Sequence, residues 1–174
     1  DGGFGGSLEL QGGAGREEAG GNIEVTSGGS MLGSSGLLQL ASGDASSGSG
    51  DVLLSTGNAG SATSGSLKLT TGASEMSSAG DVEVTIGTAG SRAGSLVIQG
   101  GNSSSVSASE KHGGGNVSLL AGSGAVGGNI SIHGGEAGAN TGGAVFMTSG
   151  ASNQTVSGQI LVSSSPSLLG SGDV

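Results

Sequence analysis

Two carboxylates, Glu9 and Glu24, occupy the same position in successive copies of a repeated motif. If these copies stack, the two side chains become neighbours, and a carboxylate pair can serve in glycoside hydrolysis or bind a divalent cation. No other residues in the motif are of a type that would line a cleft around them. We interpret the pair as part of a solvated acidic face, and the sequence predicts no catalytic residue.

The remaining residue types with chemical potential are few. The chain has no Cys, and its two histidines, His112 and His133, stand in no readable Ser/His/Asp arrangement. No phosphate-binding GxxxxGK(S/T) sequence occurs in the glycine-rich runs. Asp51, Asp81 and Asp173 stand before predicted strands as in calcium-binding β-rolls, but the nine-residue period of those repeats is absent. We therefore predict that the protein is not an enzyme, with no metal site and no cofactor.

Four Asn-x-Ser/Thr sequences could accept N-linked glycans in a secreted protein. They begin at Asn102, Asn116, Asn129 and Asn153. The Ser- and Thr-rich connections could also carry O-linked glycans.

The element that must position all of these residues is the motif Gly-(Ser/Asn/Asp)-apolar-x-apolar, which recurs at an interval of about 15 residues. One interval is 21 residues long, and its surplus near 103–112 predicts a loop inserted into an otherwise regular array. The first apolar position of each copy is Leu8, Ile23, Leu38, Val52, Leu67, Val82, Leu96, Val117, Ile130, Val145 and Ile160.

This period predicts an all-β fold without helices, a parallel two-sided β-solenoid with about 15 residues per coil. Each coil would have one strand, a corner glycine at positive φ, a short return side and a second corner. About 11 coils would form a single array over residues 1–174, which we expect to be a segment of a longer array. An antiparallel meander of hairpins is the alternative fold, but two-residue hairpin signals such as Asn-Gly are lacking.

The residue between the two apolar positions should face solvent in such a coil. At Leu53, Val97, Phe146 and Leu161 this residue is itself apolar, which predicts lateral packing against another chain or another part of the protein.

The composition of the chain argues against nucleic acid as a partner and against insertion into a membrane. The formal net charge is −9, so the chain should repel nucleic-acid backbones, and its four cations are scattered. No stretch is long and apolar enough to insert into a membrane as a helix. Few Lys and Arg also means few trypsin sites, which suits an extracellular or cell-surface location.

The repeated motif and its Gly- and Ser-rich connections resemble glycine-rich β-solenoid repeats of extracellular fibres and adhesins, and repeat arrays on algal and protist surfaces, including flagellar hairs. The resemblance covers the whole chain and implies a structural subunit of an extracellular filament. Such a subunit would assemble with itself, head to tail by strand-edge stacking and laterally, and with other fibre subunits or glycans. The alternative is a binding module: an adhesin stalk, or a carbohydrate- or ice-binding face.

Overall fold

The structure is a computed structural model, and it describes residues 2–104, 113–166, 170 and 172. Within these residues the chain forms no α-helix and no β-strand, and its backbone is largely coil. The predicted all-β solenoid, or β-helix, is therefore wrong. A strand needs a ladder of hydrogen bonds with a neighbouring segment. Here, by contrast, the backbone hydrogen bonds between glycines fall singly, one at the base of a loop.

The chain divides into two units, which are described separately. Unit 1 comprises Asp1–Glu83 and unit 2 comprises Val84–Val174. Both contain the same alternation of a short apolar segment and a polar loop.

Pairs of glycines close the loops. We call such a pair a neck: the first glycine ends an apolar segment and the second begins the next one. Six necks are joined by a hydrogen bond from the amide of the second glycine to the carbonyl oxygen of the first, at 2.8 to 3.0 Å. The bonded loops span residues 13–21, 28–36, 101–115, 122–128, 135–143 and 150–158.

The apolar segments, which we call rungs, have a constant length. Each begins at a glycine, carries its first apolar residue two positions later and ends seven positions after that glycine. The loops absorb all variation in the repeat, because their neck residues are separated by 6 to 14 positions. The eleven rungs are residues 6–13, 21–28, 36–43, 50–57, 65–72, 80–87, 94–101, 115–122, 128–135, 143–150 and 158–165.

Each loop whose midpoint is described turns at a bend there, and a serine two residues after the first neck glycine fixes three of these bends. Its hydroxyl oxygen accepts a hydrogen bond from the backbone amide three residues later. Such a Ser turn replaces a backbone hydrogen bond in a short reversal. The pairs are Ser30 with Gly33 at 2.9 Å, Ser74 with Ser77 at 3.1 Å, and Ser152 with Thr155 at 2.9 Å.

Close approach, rather than positive φ, explains the glycine that directly precedes the neck in three of the loops. Gly170 is the sole described residue with positive φ, at 126°, so the predicted left-handed corners are also wrong. A Cβ on Gly12, Gly100 or Gly134 would instead overlap the carbonyl group of the second glycine across the neck. The absence of a side chain therefore lets two backbone segments come together.

The inserted loop near 103–112 lies mostly outside the described residues. Its neck is described, and the amide of Gly115 donates a hydrogen bond to the carbonyl oxygen of Gly101 at 2.8 Å. The longest loop therefore starts and ends at the same kind of neck as the shorter ones.

Candidate association surface

The side chains of a rung alternate in exposure. In the rung at residues 143–150, Val145 is 51% exposed, Phe146 is 89% exposed and Met147 is 67% exposed. The two flanking apolar residues thus share a more protected side, and the central residue points away from it, as in an extended chain. This alternation agrees with the faces that the motif predicts.

The protected side is nonetheless open to solvent. No described apolar residue in either unit is buried, and apart from Leu8 the flanking positions are between 50% and 71% exposed. Soluble monomers rarely leave large apolar side chains exposed in a regular series. The rungs consequently present apolar surface that the described part of the chain does not cover.

The central rung positions differ between the two units. In unit 1 four of the six are charged and one is apolar, whereas in unit 2 none of the five is charged and three are apolar. The unit 1 positions are Glu9, Glu24, Gln39, Leu53, Lys68 and Glu83, and the unit 2 positions are Val97, Ser118, Ser131, Phe146 and Leu161.

The four residues predicted to pack laterally are all exposed, with side chains that are 78% to 89% accessible. Leu53 stands alone in unit 1, and the other three lie in unit 2. Their packing partner stays a prediction. Sequence reasoning overlooked Leu120, which directly follows an apolar pair in unit 2 and is 84% exposed. The sequence does contain the relevant feature, because the second apolar residue of that rung, Leu119, is followed directly by another leucine.

Formal charge is divided in the same unequal way. Ten of the thirteen Asp and Glu residues lie in unit 1 against Arg16 and Lys68, a net charge of −8. Unit 2 has three carboxylates against Arg92 and Lys111, a net charge of −1. The acidic character of the protein is therefore a property of its first half.

The described carboxylate and histidine side chains that were candidates for catalysis or metal binding form no cluster. Glu9 and Glu24 are exposed, and so are Asp51, Asp81 and His133. Among the described residues, no three His, Cys, Asp or Glu side chains are close enough to hold a metal ion, and no pocket is enclosed. No helix in that part of the chain could cross a membrane. His112 and Asp173 lie outside the described residues.

The asparagines of the four candidate glycosylation sequences are exposed. Asn102, Asn116 and Asn129 each directly follow a glycine of a hydrogen-bonded neck. Asn153 differs, because it lies at the bend of the loop at residues 150–158, beside the Ser turn of Ser152.

Comparison of the chain with protein-family models, curated proteins and solved structures finds no match. The likeness to extracellular repeat arrays therefore rests on the repeat pattern alone.

Proposed function

We propose that the protein is a structural subunit of an extracellular filament, in which copies of the chain associate through their apolar rungs. The observation that carries the proposal is the series of rungs of equal length whose described apolar side chains are all exposed. Apolar area that is left uncovered favours association, at about 25 cal/mol for each Å² removed from water.

The constant rung length gives this association a register. A second copy has the same eight-residue rungs, so a match at one rung places other rungs with equal loop lengths in line. Repeat proteins gain stability in this way, by summing many similar interfaces. The hydrogen-bonded necks would hold the rung ends while the rungs pack.

The composition supports an extracellular place for such a filament. Cleavage by trypsin-like proteases needs Lys or Arg, and the chain has four such residues in 174. With no Cys, the chain forms no disulfide bond that a reducing compartment would have to keep open.

The test is sedimentation velocity and electron microscopy of the purified full chain over a wide concentration range. We expect concentration-dependent growth into elongated particles. A single monomeric species at every concentration, up to the millimolar range, would contradict the proposal. In parallel, antibody labelling of the native cells should decorate the outer surface, and labelling confined to the cell interior would contradict the extracellular location.

The binding-module alternative predicts different outcomes in the same preparation. A monomer that gives specific signals on a glycan array would support an adhesin. A monomer that produces thermal hysteresis would support an ice-binding face.

A further inference from the structure

We infer that the lateral contact between two copies of the chain in the filament is made by the central rung positions of unit 2 in both copies, and that unit 1 stays outside this lateral contact. This inference rests on the proposed self-association and names the part of the chain that carries it.

Side-chain chemistry at the rung centres is the first reason. Val97, Phe146 and Leu161 are highly exposed apolar residues, and the other two centres of unit 2 are the small residues Ser118 and Ser131. A partner can cover these five positions without removing a charge from water. Covering the centres of unit 1 would instead remove three glutamates and a lysine from water, which costs more free energy than covering uncharged side chains.

Net charge is the second and independent reason. The repulsion between two bodies scales with the product of their charges. That product is 64 for two copies of unit 1, from −8 and −8, and 1 for two copies of unit 2, from −1 and −1. A mixed contact gives an intermediate product of 8. Salt screens such repulsion beyond about 10 Å at 0.1 M, so the difference is greatest at low ionic strength.

Leucines at matched positions allow a controlled test. Leu161 in unit 2 and Leu53 in unit 1 occupy the same rung position and are 83% and 85% exposed. Leu161→Ser and Leu53→Ser therefore remove the same side chain from equally exposed places. A double variant, Phe146→Ser with Leu161→Ser, enlarges the effect within unit 2.

Sedimentation equilibrium of the full chain would measure the dissociation constant for each variant. We expect Leu161→Ser to weaken association about tenfold, or ~1.4 kcal/mol, and the double variant to weaken it further. Leu53→Ser should change the constant less than twofold. The necks serve as a folding check, because the amides of Gly143 and Gly158 should keep their wild-type exchange rates in all variants.

Salt gives a second readout. Raising sodium chloride from 20 mM to 500 mM should leave a contact between two copies of unit 2 almost unchanged. A contact through unit 1 would instead tighten strongly as its repulsion is screened.

The failures are distinguishable. If the wild-type chain does not associate, both the filament proposal and this inference are overturned. If it associates but Leu53→Ser weakens it as much as Leu161→Ser, or salt strengthens it markedly, only the assignment to unit 2 is overturned. Binding of the wild-type monomer to neutral lipid vesicles, without self-association, would assign the apolar centres to a different occupant and overturn both.

Discussion

Replacing one of two adjacent glycines by alanine tests the account of the necks most directly. Gly135 is the first glycine of the neck of the loop at residues 135–143, and Gly134 directly precedes it. A Cβ on Gly134 would overlap the carbonyl group of Gly143, whereas a Cβ on Gly135 would meet nothing within 4 Å. Gly134→Ala should therefore open the neck, and Gly135→Ala should leave it closed.

The hydrogen bond across this neck sets the magnitude. The amide of Gly143 donates to the carbonyl oxygen of Gly135 at 2.9 Å. Losing a typical intramolecular hydrogen bond costs about 0.5–1.5 kcal/mol, so amide exchange at Gly143 should quicken roughly 2- to 10-fold in Gly134→Ala. Gly135→Ala should slow it, because replacing a glycine at a compatible position stabilises by about 0.4–1 kcal/mol through the unfolded chain.

Solvent-exchange NMR on the amide of Gly143 would measure both effects, with the untouched neck amide of Gly158 as an internal reference. Ser149→Ala is the matched control, because Ser149 occupies the position equivalent to Gly134 and its Cβ lies 3.6 Å from where a Cβ on Gly158 would be, an ordinary contact. It should leave exchange at Gly158 unchanged. Equal exchange at Gly143 in the two glycine variants, or slower exchange in Gly134→Ala, would refute the argument from close approach.

Three further outcomes follow from the loops. Ser152→Ala should speed exchange of the Thr155 amide about 2- to 10-fold by removing its acceptor, and an unchanged rate by NMR would exclude the Ser turn in solution. Inserting one serine after Ala137, in a loop, should preserve self-association as measured by light scattering, because the loops already vary in length. The same insertion after Phe146, in a rung, should weaken self-association, because it moves the next apolar residue to the opposite face of the rung. If the protein is N-glycosylated, glycopeptide mass spectrometry of native material should find Asn153 the most occupied, because the other three sites adjoin hydrogen-bonded necks; lower occupancy there than at those sites would contradict this.

Sequence reasoning reached the repeat but not the fold. The positions of Val145, Phe146 and Met147 in the motif predict which side chain is most exposed, and the structure agrees. The motif does not identify the packing partner of the two flanking apolar residues. A rung of the same chain and a rung of another copy have the same period, so the sequence is compatible with either partner. The predicted solenoid requires that the flanking residues pack against other rungs of the same chain. That prediction is wrong, because the apolar residues of every described rung are exposed.

The sequence also does not show why a glycine is needed at a given position. A glycine after an apolar pair is compatible with positive φ and also with close approach of two backbones, and the sequence prefers neither. Only coordinates separate the two causes, by placing the carbonyl of Gly143 where a side chain on Gly134 would be. The Ser turns were equally hidden, because Ser is so frequent that Ser30, Ser74 and Ser152 do not stand out by type.

Rungs of constant length alternate with loops of variable length, and this alternation affects how such a chain could assemble. If the rungs were held only by their own loops, a change in loop length would alter the distance between rungs and disturb the array. Each of the six hydrogen-bonded necks instead brings the two ends of its loop together, with the amide nitrogen 2.8 Å from the carbonyl oxygen in the longest loop and 3.0 Å from it in the shortest. The hydrogen-bond geometry is thus the same whether 6 or 14 positions separate the neck residues. Loop length then affects mainly the entropy of closure, which grows by only about 0.6 kcal/mol for each doubling. A surface built from rungs can in this way keep its period while the loops differ in sequence, length and charge.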